Sequence, residues 1–443
     1  MKWHHLGFAL LLAAIVRPGL PPAQAAEAYA MQMQRQPDFA KMQRLGRTMF
    51  FDPLLSASGE QSCASCHDPA SAYGPPNGQS VQPGGRDGTA LGFRATPSLR
   101  YLQNVPPFTE HRHDDDVDES VDQGPAGGHD WDGRAASAHE QAGLALLSPN
   151  EMANASEAEV VERLRRAPYA GEFRDTFGAD ALDSAEHGFQ WAVLALEMFQ
   201  QDAAQFHPYS SKYDAVLRGK AQLSPQEARG LALFNDEAKG NCASCHPSVI
   251  SATTGAFPAF TDHGHIVLGV PRNRSLPANR DAGFHDLGLC GPERRDLAAN
   301  REYCGAFRTP TLRNVALRQA FFHNGVLHSL EEVMRFYVMR DLEPQRWYGT
   351  GADGKVEPYD DLPGALKENV NVDPPFDRAP GSQPALSEAE IADVIAFLKT
   401  LTDGYVTPAS TPPSNPPSPA TRSSPAPRRA SSGPAASPAG SAE

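Results

Sequence analysis

The chain has 443 residues with 39 Lys and Arg against 53 Asp and Glu, a formal net charge of -14. That length gives a prior of two or three domains, and the acidic balance argues against nucleic acid and anionic membrane as partners. Six cysteines are present.

The first 25 residues read as a secretory signal. Lys2 supplies the positive start, Leu6 to Val16 an apolar core, and Ala23-Gln24-Ala25 a small-residue cleavage site near Ala25. The core is too short to span a bilayer, and no later stretch approaches the roughly 20 apolar residues that spanning needs. A periplasmic location is expected.

Residues 37–55 read as a helix and turn. They lead into Cys63-Ala64-Ser65-Cys66-His67, and the same pentapeptide returns as Cys242-Ala243-Ser244-Cys245-His246. C-x-x-C-H is the attachment signature of c-type haem. Each thiol adds to a haem vinyl group, and the adjacent His reaches the iron as proximal ligand. A chance match, a zinc half-site or a thioredoxin-like redox pair competes for one copy. Two copies, each with His directly following, in a chain with an export signal favour two covalently bound haem c groups. The repeat extends upstream: Gly46-x-x-x-Phe50 precedes the first motif and Gly230-x-x-x-Phe234 the second.

Residues 68–135 are rich in Gly, Pro and Asp without a sustained period, which predicts a long loop region beside the first haem. The acidic run from Asp114 to Glu119 reads more simply as a solvated loop than as a docking site for a basic donor. Helices are expected from Ser156 onward. Glu157 to Arg166 carries acid early and Arg late, as the helix dipole favours. Ala185 to Gln201 has Phe189, Ala192, Val193, Leu196 and Phe199 at helical spacing. Ser224-Pro225-Gln226-Glu227 and Ser387 with Glu390 are N-terminal caps. Ser329-Leu330-Glu331-Glu332 reads as a capping box opening a helix to about Arg340. That helix offers Met334, Tyr337 and Met339 as ligands to an iron, and the residues alone do not choose among them. On the residues alone Tyr337 reads more simply as a core aromatic beside Val333. Cys290 and Cys304 share one loop and are expected to pair. Residues 407–443, Pro-, Ser- and Ala-rich, predict a disordered tail. The fold class is mainly α, with one haem domain at 26–215 and a second of common design at 216–406.

The motifs around this skeleton resemble the bacterial diheme cytochrome c peroxidase and MauG superfamily. They are Thr96-Pro97-Ser98-Leu99, Trp131-Asp132-Gly133-Arg134-Ala135, Glu140-Gln141-Ala142 and Asn150-Glu151-Met152, then Arg308 to Asn314, Phe322-His323-Asn324-Gly325 and Ser329 to Glu332. The resemblance implies that the His67 haem is open to hydrogen peroxide, with Glu151 as acid/base and Gln141 beside it. It implies Trp131 as an electron relay between the haems. Tyr337, fourteen residues after His323, falls where MauG-like members have an axial Tyr and others an axial Met. No His lies between His67 and His111, so the His that blocks the resting iron in other members has no counterpart there, although His111 or His113 could reach back. A five-coordinate first haem, needing no reductive activation, is expected. The family also holds calcium between the haems. Here Ala95 replaces the usual Asn, and Arg318 and Ala320 the usual Thr and Pro, leaving backbone carbonyls as ligands. The implied partners are hydrogen peroxide and a small periplasmic cytochrome or cupredoxin donor, or a protein substrate modified as MauG modifies one. A homodimer is compatible with the family. A plain diheme electron carrier is the competing class, and it would require a sixth ligand on the first haem.

Overall fold

The structure, a computed structural model, describes residues 37–113 and 122–406. The signal segment, the acidic run and the Pro/Ser/Ala tail lie outside the described residues. Eight helices of eight residues or more are described: α1 Phe39–Phe50, α2 Ala138–Leu147, α3 Glu157–Arg166, α4 Ala170–Phe177, α5 Ala185–Gln200, α6 Pro225–Asn235, α7 Leu330–Met339 and α8 Glu388–Lys399. Strand content among the described residues is two antiparallel pairs. Pro83–Gly84 lies against Ala90–Leu91, and His265–Ile266 against Phe307–Arg308. The fold is mainly α, as the patterning predicts. No described helix is long and apolar enough to cross a membrane.

The caps follow the sequence signals. Asp38 accepts from the amides of Ala40 and Lys41 at the start of α1. Reciprocal Ser–Glu boxes open α6 and α8. At α7 the expectation is half met. Ser329 accepts from the amide of Glu332, but the Glu332 carboxylate turns to the amide of His328 instead of closing the box.

Two hydrophobic cores are built to one plan. The first is built from residues between Met42 and Phe206, the second from residues between Tyr213 and Leu401. In the first, α1 crosses α5 at Gly46; a Cβ there would lie 1.8 Å from the Ala195 carbonyl oxygen. In the second, α6 crosses α8 at Gly230; a Cβ there would lie 2.0 Å from the Asp393 carbonyl oxygen. One turn on, Phe50 meets Phe199 edge to face at 5.3 Å, and Phe234 meets Phe397 in the same way at 5.3 Å. The Gly-x-x-x-Phe repeat is therefore a helix-crossing device: glycine admits the partner backbone, and the phenylalanine fills the space below. Gly46→Ala or Gly230→Ala is expected to cost about 1–3 kcal/mol or more, because backbone rather than a flexible side chain must give way. Denaturant unfolding checks this; variants as stable as the parent would show that the helices have room to separate.

Candidate haem sites

Each pentapeptide opens a cavity over its own core. The first, of about 400 Å³, is lined by Cys63, Cys66, His67, Trp131, Gln141 and Glu151 among others. The second, of about 360 Å³, is lined by Cys242, Cys245, His246, Trp131 and Tyr337 among others. Trp131 borders both.

The two histidines are oriented in the same way. His67 Nδ1 lies 3.1 Å from the Tyr73 carbonyl oxygen, and His246 Nδ1 lies 2.8 Å from that of Phe260. A carbonyl only accepts, so Nδ1 carries the proton and Nε2 is left with its lone pair free for a metal. Both carbonyls belong to aromatic residues held at positive φ, 55° for Tyr73 and 54° for Phe260. Left-handed backbone is costly for such side chains and marks positions fixed by their surroundings. Burial pushes His67 down to about 4, so its ring is neutral and able to ligate. Burial raises the thiols, Cys63 and Cys242 to about 12, Cys66 and Cys245 to about 11. Thiols held neutral in apolar surroundings suit thioether anchorage better than thiolate chemistry.

In the first cavity, Gln141 comes from α2 and Glu151 from the turn that follows it. That turn is fastened: the Glu151 amide donates to Ser148 O, the Glu151 carbonyl accepts from Gly85, and Asn154 Nδ2 donates to both Leu55 O and Leu146 O. Burial, then the neighbouring charge of Asp130, pushes the Glu151 carboxyl up to about 7, against the pull of Arg134. Asp130 Oδ2 is itself buried without a hydrogen-bond partner; Arg134 Nη2 stands 3.1 Å away, off the bonding direction. Among the described residues, His67 is the sole histidine lining this cavity. His111 instead pairs with Asp122 at 2.6 Å, and neither it nor His113 reaches the site.

In the second cavity both Met334 and Tyr337 line the wall with His246, whereas Met339 does not. Tyr337 packs against Phe322 and Phe376. Arg308 Nη1 is a buried donor there without a partner, and the buried Nε2 of His323 also lacks one and donates in the tautomer that carries its proton there. A haem brings two propionates, so orphaned donors beside a thiol pair and a neutral imidazole fit this cofactor. His323 is held flat on Phe307 at 3.6 Å between ring centres.

Between the cavities, Trp131 Nε1 donates to Ala95 O at 2.7 Å, and the Ala95 amide donates to His323 O. Arg94, which lines the first cavity, binds Asp286, which lines the second, through two bonds of 2.7 Å; its third bond is to Asp132. Sequence reasoning missed this pair, and it missed Glu293, which also lines the first cavity. Glu293 sits in the loop closed by the Cys290–Cys304 disulfide, which forms as expected. Arg294 binds that loop to the Trp131 segment through Asp132 O at 3.0 Å. The two cysteines were the available signal; a charge bracketed by a crosslink is held in place.

A family model, Di-haem cytochrome c peroxidase, matches residues 40–222. The methylamine utilization protein MauG of Paracoccus denitrificans is 33% identical over 392 residues, spanning 87% of this chain and 92% of its own. The cytochrome c551 peroxidase of Nitrosomonas europaea is 26% identical, spanning 83% and 81%. Among solved structures, the diheme peroxidase BthA of Burkholderia thailandensis is 38% identical with a TM-score of 0.74, over 83% of this chain and 87% of that one. The chain belongs to the diheme cytochrome c peroxidase and MauG family.

Proposed function

We propose that the protein is an exported diheme c-type peroxidase that reduces hydrogen peroxide at the haem that His67 would hold, with electrons passing through Trp131 from a second haem that His246 and Tyr337 would hold. The observation that carries this reading is the pair of cavities sharing Trp131, one holding Glu151 and Gln141 and the other holding Tyr337. When bound, the haems supply the two electrons that take hydrogen peroxide to water.

The chain supplies the rest. His67 and His246 offer Nε2 because Tyr73 O and Phe260 O hold Nδ1. Glu151, with a carboxyl near neutrality, takes the proton from the near oxygen of peroxide and returns it to the far one. The Gln141 amide orients the peroxide. Trp131 borders both sites and so gives electrons a short route. The first haem is assigned to residues 26–215 and the second to 216–406, in a periplasmic protein cleaved near Ala25. The donor is a small periplasmic cytochrome or cupredoxin. A second reading has the same equivalents oxidise a partner protein; the observation favouring it is the similarity to MauG over 92% of that protein.

Low-temperature electron paramagnetic resonance of the ferric holoprotein, before any reductant, is expected to show one high-spin and one low-spin haem. Two low-spin signals would sink the open first site and favour an electron carrier.

A further inference from the structure

The resemblance implies a calcium ion between the two haems, and the residues present do not fit one. Calcium takes about six to eight oxygen ligands. Ala95 offers a methyl group where an amide oxygen is usual, and no described cluster of three or more His, Cys, Asp or Glu could hold a metal. The space between the segments is taken instead by a side chain. Arg318 Nη2 donates to Thr96 O at 3.2 Å and Nε donates to Ala320 O at 3.3 Å. Its Nη1 lies against Gly74. These are three separate segments. Gly74 follows Tyr73, whose carbonyl orients His67. Thr96 follows Ala95, whose carbonyl receives Trp131. Ala320 belongs to the connection between the Arg-Asn motif and His323.

We infer that the Arg318 guanidinium is a built-in cation that replaces the interhaem calcium, joining the His67 turn, the Ala95–Thr96 segment that receives Trp131 and the His323 segment. Two observations support it. No described carboxylate forms a salt bridge with Arg318, and burial alone pushes it down to about 10. A half-buried guanidinium without an anion costs free energy unless carbonyl dipoles solvate it, as cation-binding loops do for metals.

The test uses the holoenzyme with inorganic calcium and a chelator as probes. The wild type is expected to carry no calcium after dialysis, and its melting temperature and haem spectrum should not move in EGTA or in excess calcium chloride. Arg318→Gln should melt lower, with Arg318→Lys in between. Resting on the haem assignment above, Arg318→Gln should also lower the reduction potential of the His67 haem, because a half-buried positive charge that favours the reduced iron is gone. The double variant Ala95→Asn/Arg318→Thr should acquire a calcium-dependent rise in melting temperature. Stoichiometric calcium in the wild type, or a fall in its melting temperature on chelation, would overturn the inference while leaving the peroxidase reading intact. So would an Arg318→Gln protein equal to the parent in both melting and potential. Should Arg318→Gln fail to fold, the wild-type chelation result and the double variant decide.

Discussion

Glu151→Gln is expected to lower peroxide turnover by about 10²- to 10⁴-fold, the usual contribution of a positioned acid/base group. The substitution is close to isosteric. It leaves the backbone bonds of the turn, to Ser148 and Gly85, untouched. What it removes is a group that can take and return a proton. The wild-type carboxyl is pushed up to about 7 by burial first and by Asp130 second, with Glu293 adding and Arg134 opposing. The carboxylate that accepts the first proton therefore predominates above about pH 7, and wild-type turnover should rise with pH through that region. Glu151→Gln should lose this limb along with the rate, while both haem spectra stay as in the parent. Steady-state peroxide consumption against pH, with a reduced small cytochrome as donor, measures both effects. Unchanged turnover in the variant would remove Glu151 from the proton path.

The contrast between the two cores shows what patterning carries and what it hides. Gly46 and Gly230, with Phe50 and Phe234, stand at one spacing and were legible as a repeat. Their function, admitting a partner backbone, was not, because Ala195 and Asp393 lie far away in the chain and share no residue type. The carbonyls that orient the two histidines were equally hidden. Tyr73 follows His67 by six residues and Phe260 follows His246 by fourteen, so a loop of different length breaks the alignment of equivalent positions. Only their common positive φ and their contacts with Phe199 and Phe397, at 6.3 and 6.2 Å, reveal the equivalence. Covalent motifs survive such insertions because their chemistry is local. Charges acting across the chain do not show: Arg94 and Asp286 are 192 positions apart, and nothing local in either predicts the other. Arg318 was legible only as a departure from a family pattern. What it does instead depends on carbonyls of Thr96 and Ala320, and backbone oxygens leave no trace in composition.

Loss of Arg313 is the substitution with the largest expected effect on stability. Its guanidinium is fully buried against an equally buried Asp214, with bonds of 3.0 and 2.9 Å. Its Nε donates to Pro258 O at 2.8 Å, and it stacks over Tyr101 and Tyr209, each at 4.6 Å. Through Pro258 it also supports the segment that ends at Phe260, the acceptor for His246. Arg313→Met leaves the Asp214 carboxylate buried without its counterion, which is expected to cost about 3–5 kcal/mol. Set against a total of about 5–15 kcal/mol, that is a large share. Removing both charges, in Arg313→Met/Asp214→Leu, should recover part of the loss, limited by the bonds that Asp214 also accepts from Ser211. The pH dependence identifies the cause. Burial pushes the Asp214 carboxyl up, but Arg313 outweighs it and holds the group below the ordinary carboxylate range. In the wild type this contribution is present above about pH 4, the unfolded value, and is lost as pH falls through the folded one. In Arg313→Met burial acts unopposed by Arg313, the folded carboxyl titrates higher, and stability is instead lost as pH rises through that value. The gap between the two proteins should therefore narrow on acidification. Guanidinium unfolding of wild type, single and double variants at neutral pH and near pH 4 measures it. A gap that stays constant with pH would mean that Arg313 acts through its packing on the tyrosines rather than through its charge.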